Sequence, residues 1–85
     1  MVKIYSVRDQ FTGYGQPFTA ASDAVAIRDF RIACNKPDGL LYASPKDFDL
    51  MCLGTFDPEL GVICSEAPVI VASGVSCVRE GDKDA

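Results

Sequence analysis

The sequence predicts an α+β fold in which a small antiparallel sheet of four to five strands packs against one main α-helix. Residues 2–7 and 49–56 carry β-branched and aromatic residues in the alternation of strands, whereas residues 22–35 have the apolar period of a helix. A chain of 85 residues has room for one domain. We assign residues 1–79 to this domain and expect residues 80–85, which are too polar to pack, to form a disordered tail.

The first strand begins a wide hairpin. Alternation over residues 2–7 places Val2 and Ile4 on one face, and Lys3, Tyr5 and Val7 on the other. The following loop contains two glycines and a proline, after which residues 18–21 can return as a short strand. The loop carries Phe11 and Tyr14, which can either fold back on the core or contact a partner.

The main helix is expected to begin after Ser22 and to end at Asn35. The Ser22 hydroxyl can accept a hydrogen bond from the first turn, and Asp23 places negative charge at the positive end of the helix dipole. One apolar stripe, about 120° wide, should cover the sheet. Its members are Ala26, Ile27, Phe30, Ala33 and Cys34.

The opposite side of this helix combines charge with apolar surface. Arg28 and Arg31 lie three positions apart, and Val25 and Ile32, seven positions apart, form a second apolar strip. A lone surface helix would be polar at these positions. The strip therefore indicates either an interface between copies or a surface that the small domain covers itself.

The second half of the chain predicts a central strand followed by an edge strand. Residues 36–39 form a turn, and the Ser-Pro sequence at 44–45 predicts one short helical turn. In the strand 49–56, alternation places Phe48, Leu50, Cys52 and Phe56 on one side, and Met51 and Leu53 on the other.

The hairpin that follows should turn at residues 57–61, which contain Pro58 and Gly61. Residues 62–64 return antiparallel, and residues 68–73 are expected at the margin of the sheet because Pro68 cannot donate to a strand ladder. Residues 75–78 are predicted to add a few further strand residues.

Charge is distributed unevenly. The formal net charge is −4, but residues 1–36 carry five bases against three acids, and residues 37–85 carry three bases against nine acids. The first half could therefore contact phosphate or an acidic partner, whereas the second half would repel nucleic acid. No apolar run approaches the length of about 20 residues that spans a bilayer, so we expect no membrane insertion.

The four cysteines do not have the spacing of a metal site. Cys34, Cys52, Cys64 and Cys77 lie 18, 12 and 13 positions apart, and the chain has no histidine. Structural zinc sites usually take ligands from close pairs, so we expect no metal and no cofactor. Residues 1–6 lack the long apolar segment of a signal peptide, so we expect a reducing cytosol, in which the thiols should be free and pack as small apolar groups. In an oxidising medium three pairings would be open.

Three stretches together resemble a known family. They are Met-Val-Lys-Ile-Tyr-Ser-Val-Arg-Asp at 1–9, Ala-Val-Ala-Ile-Arg-Asp-Phe at 24–30, and Phe-Asp-Leu-Met-Cys-Leu-Gly-Thr-Phe-Asp at 48–57 with Gly61 closing the turn. The chain is similar, over about residues 1–66, to the small nonstructural protein of gokushoviruses. These are tailless single-stranded DNA bacteriophages of the microvirus group, and this protein is the product of their fifth open reading frame.

This resemblance implies a non-capsid protein made in the cytoplasm of the infected bacterium. Such proteins are described as DNA-binding or replication-switch factors that move the phage from duplex replication towards single-strand synthesis and packaging. The resemblance brings no catalytic residues with it. An enzyme is also not expected from the residues, since histidine, a P-loop and a G-x-S-x-G motif are all missing from the sequence.

Two hypotheses follow for the function. The first is a contact with single-stranded DNA, in which basic side chains bind phosphate and aromatic side chains stack on nucleobases. Its candidate residues are Lys3, Tyr5, Arg8, Tyr14, Arg28 and Arg31, with Phe11 as a further platform. Three or four phosphate contacts give one copy only a modest affinity.

The second hypothesis is a protein-interaction module that joins two copies or docks on the phage replication initiator or a capsid precursor. Its candidate interface residues are Val25, Ile32, Val69 and Val71. Since two basic strips in one assembly would bind a strand better than one, we favour a homo-oligomer that regulates through partners, with DNA contact secondary.

Overall fold

The computed structural model describes residues 1–78, so the predicted tail at 80–85 lies outside the described residues. Within residues 1–78, five strands and three α-helices follow one another, with a 3₁₀ turn at Pro45–Asp47 between the second helix and the fourth strand. The strands are β1 (Val2–Asp9), β2 (Gly13–Tyr14), β3 (Phe18–Ala20), β4 (Phe48–Asp57) and β5 (Val62–Ser73). The helices are α1 (Asp23–Cys34), α2 (Leu40–Ala43) and α3 (Gly74–Cys77).

All strands pair antiparallel in one sheet, as predicted. The order is β2-β1-β4-β5, and β3 also pairs with β1. Because β4 occupies one edge of β1 along its whole length, β2 and β3 follow one another along the other edge. β1 and β4 are therefore central, and β5 is an edge strand.

The helix α1 has the predicted caps and the predicted inner face. The Ser22 Oγ accepts a hydrogen bond from the Val25 N–H at 3.3 Å, and Asn35 is the C-cap. Ala26, Phe30 and Cys34 are buried, and Ile27 packs against the core from the side. The rest of the buried cluster comes from the facing sheet and from α3, as Tyr5, Phe48, Leu50 and Cys77.

The remaining helical structure departs from the prediction of one main helix. The short turn predicted at residues 44–48 is present as the 3₁₀ turn, but α2 and α3 add two more helical turns. The strand predicted at residues 75–78 is wrong, because residues 74–77 form α3. Ser73 caps this helix, since its Oγ accepts a hydrogen bond from the Ser76 N–H at 3.3 Å, and a capped turn satisfies backbone groups that a strand there would leave unpaired.

An irregularity on β4 changes which residues share a face. The register with β1 shifts between Ile4 and Tyr5, where Leu53 is the extra residue on β4. Gly54 then pairs with Ile4, and Phe56 pairs with Val2, on the side of the sheet away from Tyr5. Simple alternation predicts that Phe56 lies on the same side of the sheet as Leu50. The extra residue places it on the opposite side instead.

Beyond Cys52, the β4–β5 hairpin continues past the helical layer. We call residues 54–65 the hairpin arm: they run from Gly54, through the turn, to its pairing partner Ser65. At the turn, the Gly61 N–H donates to the Asp57 carbonyl at 2.8 Å, and Gly61 has φ +69°. The described chain measures 48 × 24 × 18 Å with a radius of gyration of 13.5 Å, which exceeds the value of about 12 Å for a compact chain of this length.

Candidate interaction surfaces

A polar cluster joins β1 to the start of α1 and consists of Lys3, Tyr5 and Asp23. The Tyr5 hydroxyl donates to Asp23 Oδ1 at 2.6 Å, and Lys3 Nζ donates to the same oxygen at 3.2 Å. The Tyr5 bond, and after it the Lys3 bond and charge, hold the pKa of Asp23 below its usual value against the effect of burial. Burial is the main cause that raises the pKa of the Tyr5 hydroxyl, and the hydrogen bond to Asp23 and the charge of Asp23 raise it further.

This cluster fixes the helix on the sheet and includes two residues of the predicted nucleic-acid site, Tyr5 and Lys3. Tyr5 is 0% exposed, and its ring stacks on Phe18 with centroids 5.9 Å apart. Tyr5 therefore presents no face to a nucleobase, which corrects its predicted role as a stacking platform. Lys3, whose side chain remains 45% exposed, forms an ion pair with Asp23.

The other predicted nucleic-acid residues lie on two sides of the molecule. Arg28 and Arg31 are exposed on the outer face of α1, where the Arg28 Nε contacts Asp29 Oδ1 at 3.5 Å. Arg8 pairs across the strands with Tyr14 and with Asp49. By strand alternation from Tyr5 and Val7, Arg8 faces the side of the sheet away from α1, so the structure does not bring these arginines together.

The predicted interface residues on α1 do form one surface. Ile32 is 62% exposed, Val25 is half-buried, and both lie beside the two exposed arginines of the helix. We call these four residues, Val25, Arg28, Arg31 and Ile32, the helix patch. The patch combines positive charge with apolar area on one face of α1.

The predicted interface residues on β5 differ from each other. Val69 is exposed, whereas Val71 is partly buried and packs against the core, so it offers less area to a partner. The cause is a second register shift: Met51 pairs with Ile70 and Leu50 with Ala72, so Val71 is an extra residue on β5.

The hairpin arm carries several exposed apolar residues, and the sequence did not single it out. Every residue from 58 to 70 is exposed, including Leu60, Val62 and Ile63. At the base of the arm, on its reverse face, an apolar groove of about 280 Å³ lies between the first hairpin and the arm. It is lined by Ile4, Pro17, Phe18, Thr19, Phe56 and Ile63.

The arm is also acidic. The sequence has no lysine, arginine or histidine between residues 47 and 78. Asp57 and Glu59 lie at the turn, where the Asp57 carboxylate accepts hydrogen bonds from the Glu59 N–H at 2.9 Å and the Leu60 N–H at 3.2 Å. Asp57 therefore shapes the turn, whereas the Glu59 side chain is exposed beside Leu60.

The cysteines are unpaired and fall into different environments. Cys34 and Cys77 are buried in the core and Cys52 is half-buried, but Cys64 is exposed on the arm, which differs from the expected core position. Burial, with a smaller effect of Cys77, raises the pKa of the Cys34 thiol to about 11. Within residues 1–78, the histidine, cysteine and carboxylate side chains form no group that could hold a metal ion.

Comparisons with known proteins identify one family. The family model described as "Phage ORF5 protein" matches residues 2–77 of the chain. No curated protein and no solved structure matches it. Within residues 1–78, none of the helices has the length and apolar character needed to cross a membrane. Since the family model covers nearly the whole chain, the protein belongs to the phage ORF5 protein family.

Proposed function

We propose that this phage protein is a non-catalytic, nonstructural regulator that acts in the host cytoplasm by binding other proteins, beginning with a second copy of itself. The observation that carries the proposal is the hairpin arm, which extends past the helical layer and is exposed from residue 58 onwards. Exposed apolar surface of this kind is typical of an interaction site rather than of a monomer surface.

A regulatory role in phage replication is supported by the resemblance to the gokushovirus nonstructural protein. A switch between duplex replication and single-strand synthesis needs contacts with other components, and a self-associating module supplies several copies of each contact. The phage replication initiator and capsid precursors are the further partners that fit this role. The acids at the arm's turn favour a structural role over acid–base chemistry, because Asp57 is engaged by backbone N–H groups.

Self-association is tested by measuring mass in solution over a range of protein concentrations. The variant Leu60→Asp with Ile63→Asp introduces charge at two exposed apolar positions of the arm and should weaken association about tenfold or more. The matched control is Leu40→Asp with Val75→Asp, which changes two similarly exposed apolar residues outside the arm. The control should associate as the wild type does. A wild-type protein that remains monomeric at high concentration would overturn the proposal.

A second candidate function is a contact with single-stranded DNA made by Arg28 and Arg31. It is supported by their exposure and by their shared position on the outer face of α1. Binding to a labelled oligonucleotide should fall as salt rises, and Arg28→Glu with Arg31→Glu should abolish it. Binding that depends neither on salt nor on these two substitutions would count against a phosphate contact at this helix.

A further inference from the structure

We infer that self-association is head-to-tail: the tip of the hairpin arm of one copy, Glu59 and Leu60, docks on the helix patch of the next copy. The inference rests on the proposed self-association and names the two surfaces that meet. Each copy carries one tip and one patch, so the contact is between unlike surfaces.

The two surfaces are complementary in chemistry. At the tip, Leu60 is 74% exposed and stands beside the exposed Glu59 and the acidic Asp57. On the helix, Ile32 is 62% exposed and stands beside two exposed arginines. A contact between them covers an apolar side chain on each copy and places carboxylates next to guanidinium groups.

The tip cannot make this contact within its own chain. α1 begins at the level of Tyr5 and Cys52, as the bond from Tyr5 to Asp23 and the strand pairing show, and runs towards α3, where the Asn35 side chain donates to the Cys77 carbonyl at 2.9 Å. The turn lies five residues beyond Cys52, or roughly 16 Å at the rise of a strand. The helix patch also faces away from the sheet that carries the arm, so it can receive a tip only from another copy.

Association between like surfaces is disfavoured by the same charges. Two arms side by side would bring together acidic segments that contain no compensating base, and two helix patches would bring together four arginines. Strand addition along β5 is hindered as well. Pro68 lacks an N–H, and two register shifts, at residues 66–68 and at Val71, interrupt the edge.

The test uses reversal of charge on each surface separately. The helix variant is Arg28→Glu with Arg31→Glu, and the tip variant is Glu59→Arg; all three side chains are exposed, so folding should be unaffected, as circular dichroism and thermal melting would check. Each variant alone should self-associate about tenfold more weakly than the wild type. An equimolar mixture should regain association, because the acidic helix patch of the first variant meets the arginine that the second variant carries at its tip.

The matched control is Lys36→Glu with Lys46→Glu, which changes the net charge as much as the helix variant does, at positions outside the patch. It should associate like the wild type. Three results would overturn the inference: undiminished association of both variants, stronger association of the helix variant, or a mixture no stronger than its components. A monomeric wild type overturns the proposed function as well, whereas the first three results leave self-association standing.

Discussion

Asp23 shows how one side chain serves several purposes in so small a domain. It lies in the first turn of α1, where a carboxylate complements the helix dipole, and it accepts hydrogen bonds from Tyr5 and Lys3 of β1. The buried Tyr5 needs a partner for its hydroxyl, since an unsatisfied buried donor is costly. The sequence alone indicates only the first of these purposes for Asp23.

The lowered pKa of Asp23 makes stability depend on pH in acid. A depressed pKa contributes stability above the carboxyl's value in the unfolded chain, about 3.9, and this contribution is lost as pH falls further. Asp23→Asn keeps an oxygen for Tyr5 but removes the charge, so we expect a loss of about 1 kcal/mol at pH 7. Urea unfolding at pH 7 and at about pH 2.5 should show this difference from the wild type shrinking in acid.

Asp29→Asn is the control for this measurement. Asp29 is on the same helix and only contacts the exposed Arg28, so its removal should change the free energy of unfolding by less than about 0.5 kcal/mol. If Asp23→Asn lowers the free energy of unfolding by the same amount at both pH values, the assigned role of the Asp23 charge is contradicted.

Cys34 should make stability depend on pH in alkali. Its pKa is raised to about 11 in the folded protein, whereas a thiol in the unfolded chain titrates near about 8.5. The Cys34 thiol therefore contributes its full stability below the pKa of the unfolded chain. This stability is lost as pH rises, with a limiting slope of about 1.4 kcal/mol per pH unit. Urea unfolding between about pH 8 and about pH 10 should show a shallower loss for Cys34→Ala than for the wild type. Cys64→Ala, at an exposed thiol, should retain the wild-type slope.

Among the elements, the β4–β5 hairpin depends on Gly54. Its φ of +153° is unfavourable for other residues, and a Cβ there would overlap the carbonyl oxygen of Cys64 on the paired strand. We expect Gly54→Ala to lower the free energy of unfolding by about 2–4 kcal/mol, measured by urea denaturation. Gly61→Ala, at φ +69° with open space around it, should cost only about 1–2 kcal/mol. Equal losses would mean that backbone conformation alone, without the close approach, decides the effect.

Much of each element could be predicted because the main periodicities are intact. The caps and inner stripe of α1, the two long strands and the turn at Gly61 all follow local rules. Local alternation failed at Leu53, where one extra residue reversed the face of Phe56. Gly54 within a strand was the available signal, because an interior glycine often marks a bulge.

The interaction surfaces were less predictable because they depend on tertiary structure. The burial of Tyr5 follows from β3 and α1 closing over β1, and the position of Arg8 follows from the sheet separating it from the helix. The exposure of the arm likewise reflects how far α1 extends along the sheet, which hydrophobic patterning does not contain. The helix patch was predictable because all four of its residues belong to one element.

At the scale of the whole molecule, the acidic and the basic surfaces lie in different parts of the structure. The arm is acidic and extends beyond the helical layer, and the basic residues of α1 lie on the outer face of that layer. A chain with a formal net charge of −4 is expected to repel its copies, but local complementarity can reverse that effect at short range. Opposite charges that meet across a contact are weakened by salt, whereas apolar contacts are not.

Salt should therefore weaken the association of the intact protein. Raising sodium chloride from about 0.05 M to about 0.5 M shortens the screening length to a few ångströms, so we expect an association constant several-fold lower at high salt. Sedimentation equilibrium at pH 7 measures it directly. Arg28→Gln with Arg31→Gln removes the positive partners and should give weaker association with little further dependence on salt. An association that strengthens with salt in the wild type would indicate a contact between apolar surfaces or like charges, and the arm would then meet its partner away from the arginines of α1.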